Sequence, residues 1–178
     1  MLRVVADTNK VIASLLRDGK VRRFLFHPSL EILLPKYVLE EINEHREYLE
    51  SKVSPKAIDL VISKILKKAR VIGARELDRE ALSKARRLAE GFDIDDYPFI
   101  AVAIEYNAII WTNDKEFIKH ALISNEYLAI DTSALERLLK GEELAKVLQT
   151  IKAVSYTHLR AHETTLHLVC RLLLEKKK

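Results

Sequence analysis

Leu2-Arg3-Val4-Val5-Ala6-Asp7-Thr8-Asn9 opens the chain with a short apolar run that stops abruptly on a carboxylate. Two β-branched valines in so short a run predict a strand buried on both faces. Residues 31–34, Arg70–Ile72, 108–112 and 127–130 read the same way. Between them the spacing turns helical. Val11, Ile12, Leu15 and Leu16 form one stripe. Ile58, Val61, Ile62, Ile65 and Leu66 form a second, opening at Ser54-Pro55 with proline at the first helical position. Leu82, Ala85, Leu88 and Ala89 form a third. Residues 96–106 differ, because Phe99-Ile100-Ala101-Val102-Ala103-Ile104 leaves no polar face, and such a helix is buried on all sides. Five strands alternating with about seven helices predict right-handed crossovers and a parallel sheet covered on both faces, a three-layer α/β/α sandwich.

The bulk composition agrees. At 178 residues, 48% of them hydrophobic, the chain can bury one sizeable core, and four glycines with four prolines argue against disorder. The net charge of +4 is concentrated at one end. Residues 155–178 hold +3 of it, with Arg160, Arg171, Lys176, Lys177 and Lys178 against Glu163 and Glu175. The basic balance is therefore a weak pointer to nucleic acid. The one cysteine, Cys170, lies in the same stretch, so the body has no thiolate site and suits a reducing, cytoplasmic setting. No apolar run of about 18 residues is present, so no membrane span is expected, and with the first strand opening the sequence no signal peptide is expected either.

Composition changes near Val154. Ser155-Tyr156-Thr157-His158-Leu159-Arg160-Ala161-His162-Glu163-Thr164 resembles a peptide that recurs at the ends of unrelated sequences, where it looks like translated sequencing-adapter DNA. The expected organisation is one domain over residues 1–154 followed by a non-native tail, 155–178. His158 and His162 have helical spacing for Zn²⁺, but they fall in that tail.

Carboxylates follow the strands. Asp7 comes directly after the first and Asp114 two residues after Thr112. Glu40 and Glu41 lie on the helix after Pro35, and Asp93, Asp95 and Asp96 stand at the mouth of the apolar helix. Open parallel sheets bind ligands beyond the carboxyl ends of their strands. Singly, each acid has a plain structural reading: Asp7 and Asp114 as helix caps, Glu41 on a solvated face, Asp95 or Asp96 as a cap before Pro98. Together they would repel one another at one edge unless a divalent cation neutralised them.

Val5-Ala6-Asp7-Thr8-Asn9, Pro35-Lys36-Tyr37-Val38-Leu39-Glu40-Glu41-Ile42, Asp93-Ile94-Asp95-Asp96-Tyr97-Pro98-Phe99-Ile100-Ala101 and Trp111-Thr112-Asn113-Asp114-Lys115 resemble, in order and spacing, PIN-domain proteins, including VapC-type toxins. The resemblance implies the strand order 3-2-1-4-5. It implies four catalytic acids, Asp7, Glu41, Asp96 and Asp114, with Asp7, Asp96 and Asp114 as ligands of Mg²⁺ or Mn²⁺. Glu41 is preferred to Glu40 because the family's acid precedes an aliphatic residue. Asn9, Thr112, Asp93 and Asp95 would support the site, and Arg22, Arg23, Lys115 and Lys119 are candidate cations for the RNA backbone. The implied activity is metal-dependent RNA hydrolysis by a toxin held by an antitoxin partner, with a homodimer as a further expectation. The alternatives are a housekeeping nuclease of RNA processing or decay, and a catalytically silent binding scaffold. His27, His45 and His120 read as surface or helix-end residues.

Overall fold

The computed structural model describes residues 1–162, with side chains as far as residue 153. The chain divides into two compact units, Met1–Gly141 and a second beginning at Glu142. In the first, β1 (Leu2–Ala6) is followed by α1 (Thr8–Leu16), α2 (Lys20–Leu25), β2 (Leu30–Pro35), α3 (Tyr37–Glu44), α4 (Arg46–Glu50), α5 (Pro55–Lys68) and β3 (Arg70–Ile72). Then come α6 (Arg79–Ala89), α7 (Tyr97–Tyr106), β4 (Ile109–Trp111), α8 (Lys115–Ser124), β5 (Leu128–Ile130) and α9 (Thr132–Leu139). Two 3₁₀ turns, Ala74–Glu76 and Ile94–Asp96, complete it. The described part of the second unit is α10 (Leu144–His162), which runs through position 154. Residues 163–178, the rest of the expected tail, lie outside the described residues, as do the side chains of His158 and His162.

All five strands are parallel, in the order β3-β2-β1-β4-β5. β1 is central because its residues can be buried on both faces: Val4, Val5 and Ala6 are fully buried. It pairs with β2 through Val4 and Ile32, and with β4 through Ala6 and Trp111. Helices flank the sheet in the expected α/β/α arrangement. α7 lies against β1, β2 and β4 and packs on α6, whose Ala81, Ala85 and Ala89 form the buried stripe. Phe99 to Ala103 of α7 are buried, as an apolar helix requires, but its last turn, from Ile104, is only half-buried. Asn107 ends that helix at φ 47°, a left-handed conformation that asparagine tolerates. Among the described residues there are ten α-helices rather than about seven. The surplus comes from short helices such as α2 and α4, whose six and five residues are too few to display a helical period.

The topology places the site. From β1 the chain winds one way to β2 and β3, then crosses back to β4 and β5. The order reverses between β1 and β4, the switch point where parallel sheets open a crevice. Asp7 and Asp114 follow those two strands.

Replacing Ile110, fully buried in β4, by alanine should cost about 2–5 kcal/mol. Leu60→Ala, at a position 57% exposed, should stay within about 0.5 kcal/mol of wild type. Chemical denaturation followed by the fluorescence of Trp111, the only tryptophan, measures both.

Candidate metal and active site

Ladder geometry carries β1 one residue further than its strand, since the Asp7 N–H donates to the Trp111 carbonyl at 3.1 Å. There Asp7 caps α1, its Oδ1 accepting the Asn9 N–H at 3.2 Å. Asp114 caps α8 in the same way, its Oδ1 accepting the Glu116 and Phe117 N–H groups at 2.8 and 3.2 Å. The capping readings of both acids are therefore correct as far as they go. Thr112, fully buried at the end of β4, ties the two acids together. Its hydroxyl donates to Asp7 Oδ2 at 2.6 Å and accepts the Asp114 N–H at 3.0 Å. The Asn9 side chain is exposed, and what that residue gives Asp7 is its backbone N–H.

Glu41 and Glu40 separate cleanly. Glu41 is half-buried on α3 and accepts a short hydrogen bond from the Thr8 hydroxyl, beside Asp7. Glu40 is exposed. Burial pushes the Glu41 carboxyl up, the Thr8 bond opposes this, and Asp7 and Glu44 add to it.

Asp96 begins α7, held in place by the buried residues that follow. It accepts no hydrogen bond among the described residues. Burial first, then the charges of Asp93, Asp7, Asp114 and Glu41, push its carboxyl up to about 7. One side chain thus feels every acid of the set. Asp93 is exposed and caps the 3₁₀ turn, accepting the Asp95 N–H at 3.0 Å. Asp95 is exposed beside it.

The cations behave differently from one another. Arg22 closes the far end of α1, donating to the Ser14 carbonyl at 2.7 Å and pairing with Asp18 at 3.7 Å. Lys119 pairs with Glu116 at 3.6 Å. Arg23 and Lys115 are exposed and without a carboxylate partner among the described residues. A lysine that the sequence reading passed over is closer to the acids. Lys10, buried on α1, donates to the Thr132 hydroxyl at 3.0 Å and lies 5.5 Å from the Trp111 ring centre. Burial brings it down to about 8, against the pull of Asp7 and Asp131. Its place three residues after Asp7 was the available signal. His120, expected at the surface or a helix end, is half-buried within α8. Its Nδ1 is 2.8 Å from the Tyr127 hydroxyl and its ring stacks on Phe92 at 4.3 Å. Burial raises Tyr127, and the Asp96 charge adds to that rise.

The candidate donors, coupled electrostatically through Asp96, are all carboxylates, which suits a hard, oxygen-seeking divalent cation rather than a thiolate metal site. Among the described residues no three Asp, Glu, His or Cys side chains stand close enough to enclose an ion. A cation held here would keep water in its shell, as Mg²⁺ characteristically does.

The chain belongs to the PIN domain family, whose profile matches residues 5–166. PIN domains are generally nucleases. No curated protein matches the sequence. Among solved structures it is similar to a chain of VapBC2 from Rickettsia felis, a complex bound to a DNA fragment from its promoter. The TM-score is 0.53 at 16% identity, covering 73% of this chain and 98% of that one, a likeness of fold.

The raised Asp96 carboxyl makes stability pH-dependent in metal-free buffer. Its protonated form is favoured on folding. Its contribution is therefore fully present below the ordinary value of 3.8 and lost as pH rises through about 7. With chelator present, Asp96→Asn should raise Tm most at about pH 8, and the gain should shrink towards about pH 5. Thermal melts of the two proteins across that range check it; a gain independent of pH would contradict it.

Proposed function

We propose that this chain is a metal-dependent endoribonuclease, the toxin of a type II toxin–antitoxin pair. The observation that carries the reading is the acid set at the sheet's switch point, above all Asp96, a half-buried carboxylate that feels four others and accepts no side-chain hydrogen bond among the described residues. A divalent cation relieves that crowding. Mg²⁺ or Mn²⁺ bound there would activate water and stabilise the leaving oxygen of a phosphodiester. Asp7, Asp96 and Asp114 would hold the ion, and Glu41 would act beside them. Thr112 orients Asp7 and Asp114 together, and Thr8 orients Glu41. The capping bonds leave room for this role: the Asp114 Oδ2 accepts nothing among the described residues, and each Asp7 oxygen accepts one bond and keeps a second lone pair.

The toxin assignment draws support from the VapBC2 likeness, and with it come an antitoxin partner, RNA as substrate and a cytoplasmic setting. A homodimer is part of the same reading. No helix among the described residues is long and apolar enough to cross a membrane.

Cleavage of single-stranded RNA in Mg²⁺ or Mn²⁺ should fall at least ~100-fold in Asp7→Asn, more than the loss typical of groups outside the ligand set. Melts in chelator should show Asp7→Asn folded and no less stable, since asparagine caps about as well as aspartate and repulsion is relieved. Equal cleavage by both proteins, or cleavage that survives chelator, would remove the metal from the mechanism. Thr112→Val should lose roughly 10–100-fold in the same assay, as residues that orient metal ligands do.

A further inference from the structure

Where β2 and β3 end, at Pro35 and Ile72, is a cavity of about 220 Å³. Ile72, Leu82 and Val102 supply apolar lining, and Tyr37 and Tyr97 supply two aromatic rings. Glu40 and Asp95 also line it, and each adjoins an acid of the site, Glu41 and Asp96. The cavity and the acids are thus built from the same two segments.

Both rings are held in place. Tyr37 meets Phe99 edge-on at 6.5 Å, and the Arg86 guanidinium lies 5.0 Å over the centre of Tyr97. Arg86 and Lys36, the latter in the lining, are exposed, and neither has a carboxylate partner among the described residues. Most single-stranded RNA recognition works by splaying a base out onto aromatic or guanidinium planes while cations follow the backbone. The volume is below the ~300 Å³ at which drug-sized pockets begin, which suits one ring system. An acidic site repels the phosphates on either side of its target, so cations beside it are needed to hold the strand.

We propose that this cavity receives a nucleobase of single-stranded RNA next to the phosphodiester at the acid set. Tyr37 and Tyr97 form its walls, and Lys36 and Arg86 take the flanking phosphates. The inference rests on the ribonuclease reading above and adds to it a pocket by which the enzyme senses the base beside its cut.

The test is photo-crosslinking, which needs no turnover. The full chain, in chelator, is irradiated with single-stranded RNAs carrying 4-thiouridine or 6-thioguanosine, and the crosslinked peptides are mapped by mass spectrometry. Crosslinks should fall at Tyr37 or Tyr97. Leu82→Trp, which fills the cavity and leaves every carboxylate in place, should lower their yield roughly tenfold, the scale of one lost base-stacking contact. Crosslinks only elsewhere, or an undiminished yield in Leu82→Trp, would overturn the proposal. Should Leu82→Trp fail to fold, the exposed Arg86→Gln carries the test. RNA binding should weaken and the slope of log K against log salt should fall by about one, whereas an unchanged slope would overturn the proposal. Crosslinking at the two tyrosines with no cleavage on adding metal would leave this pocket standing and defeat the nuclease reading. Cleavage without crosslinks there would do the reverse.

Discussion

Repulsion among carboxylates at the carboxyl edge of β1 and β4 is the constraint that the rest of the molecule is built to hold. Asp7 cannot retreat, because β1 is paired on both sides and its last three residues are fully buried. The backbone of Asp96 is held, because it begins a helix whose next residues pack against β1, β2 and β4. Thr112, buried at the end of β4, fixes the spacing of Asp7 and Asp114 through one hydroxyl. Each restraint opposes the relaxation that electrostatics alone would produce. Folded proteins usually separate or neutralise such groups, and the proposed cation would supply the compensating positive charge.

Part of that compensation is built into the backbone. α1, α7 and α8 begin at Asp7, Asp96 and Asp114, and the positive ends of their dipoles favour negative charge there. Lys10 brings a buried positive charge towards Asp7. These terms lessen the crowding without removing it, since burial and the neighbouring acids still push the Asp96 carboxyl up. At the proposed site, cap and metal ligand would be one arrangement. The oxygen that satisfies the helix end also fixes how the carboxylate faces the crevice.

The fold was legible because parallel strands buried on both faces leave a strong mark. Val4-Val5-Ala6 and Ile109-Ile110-Trp111 are apolar without alternation, and each is followed closely by an aspartate. That juxtaposition carried the expected architecture, and it singled out the acids whose charges act on Asp96. Other features left no mark. Five- and six-residue helices are shorter than two helical turns, so α2 and α4 could not be seen. Thr8 and Lys10 look like ordinary first-turn residues of α1, and only the packing of that helix turns them towards Glu41 and Thr132. Arg22 illustrates the opposite error. Cationic and near the crevice in sequence, it spends its donors on the carbonyls that end α1. Charge type was readable from the chain, but the partner of each charge depended on tertiary contacts.

A divalent cation at the switch point is the central proposal. Crystals grown or soaked in Mn²⁺, with diffraction collected at the manganese edge, would locate it. An anomalous peak should lie bounded by the carboxylates of Asp7, Asp96 and Asp114, with Glu41 facing it and water completing the shell. No peak there at saturating Mn²⁺, or one bound elsewhere while Asp96 remains protonated and alone, would contradict it.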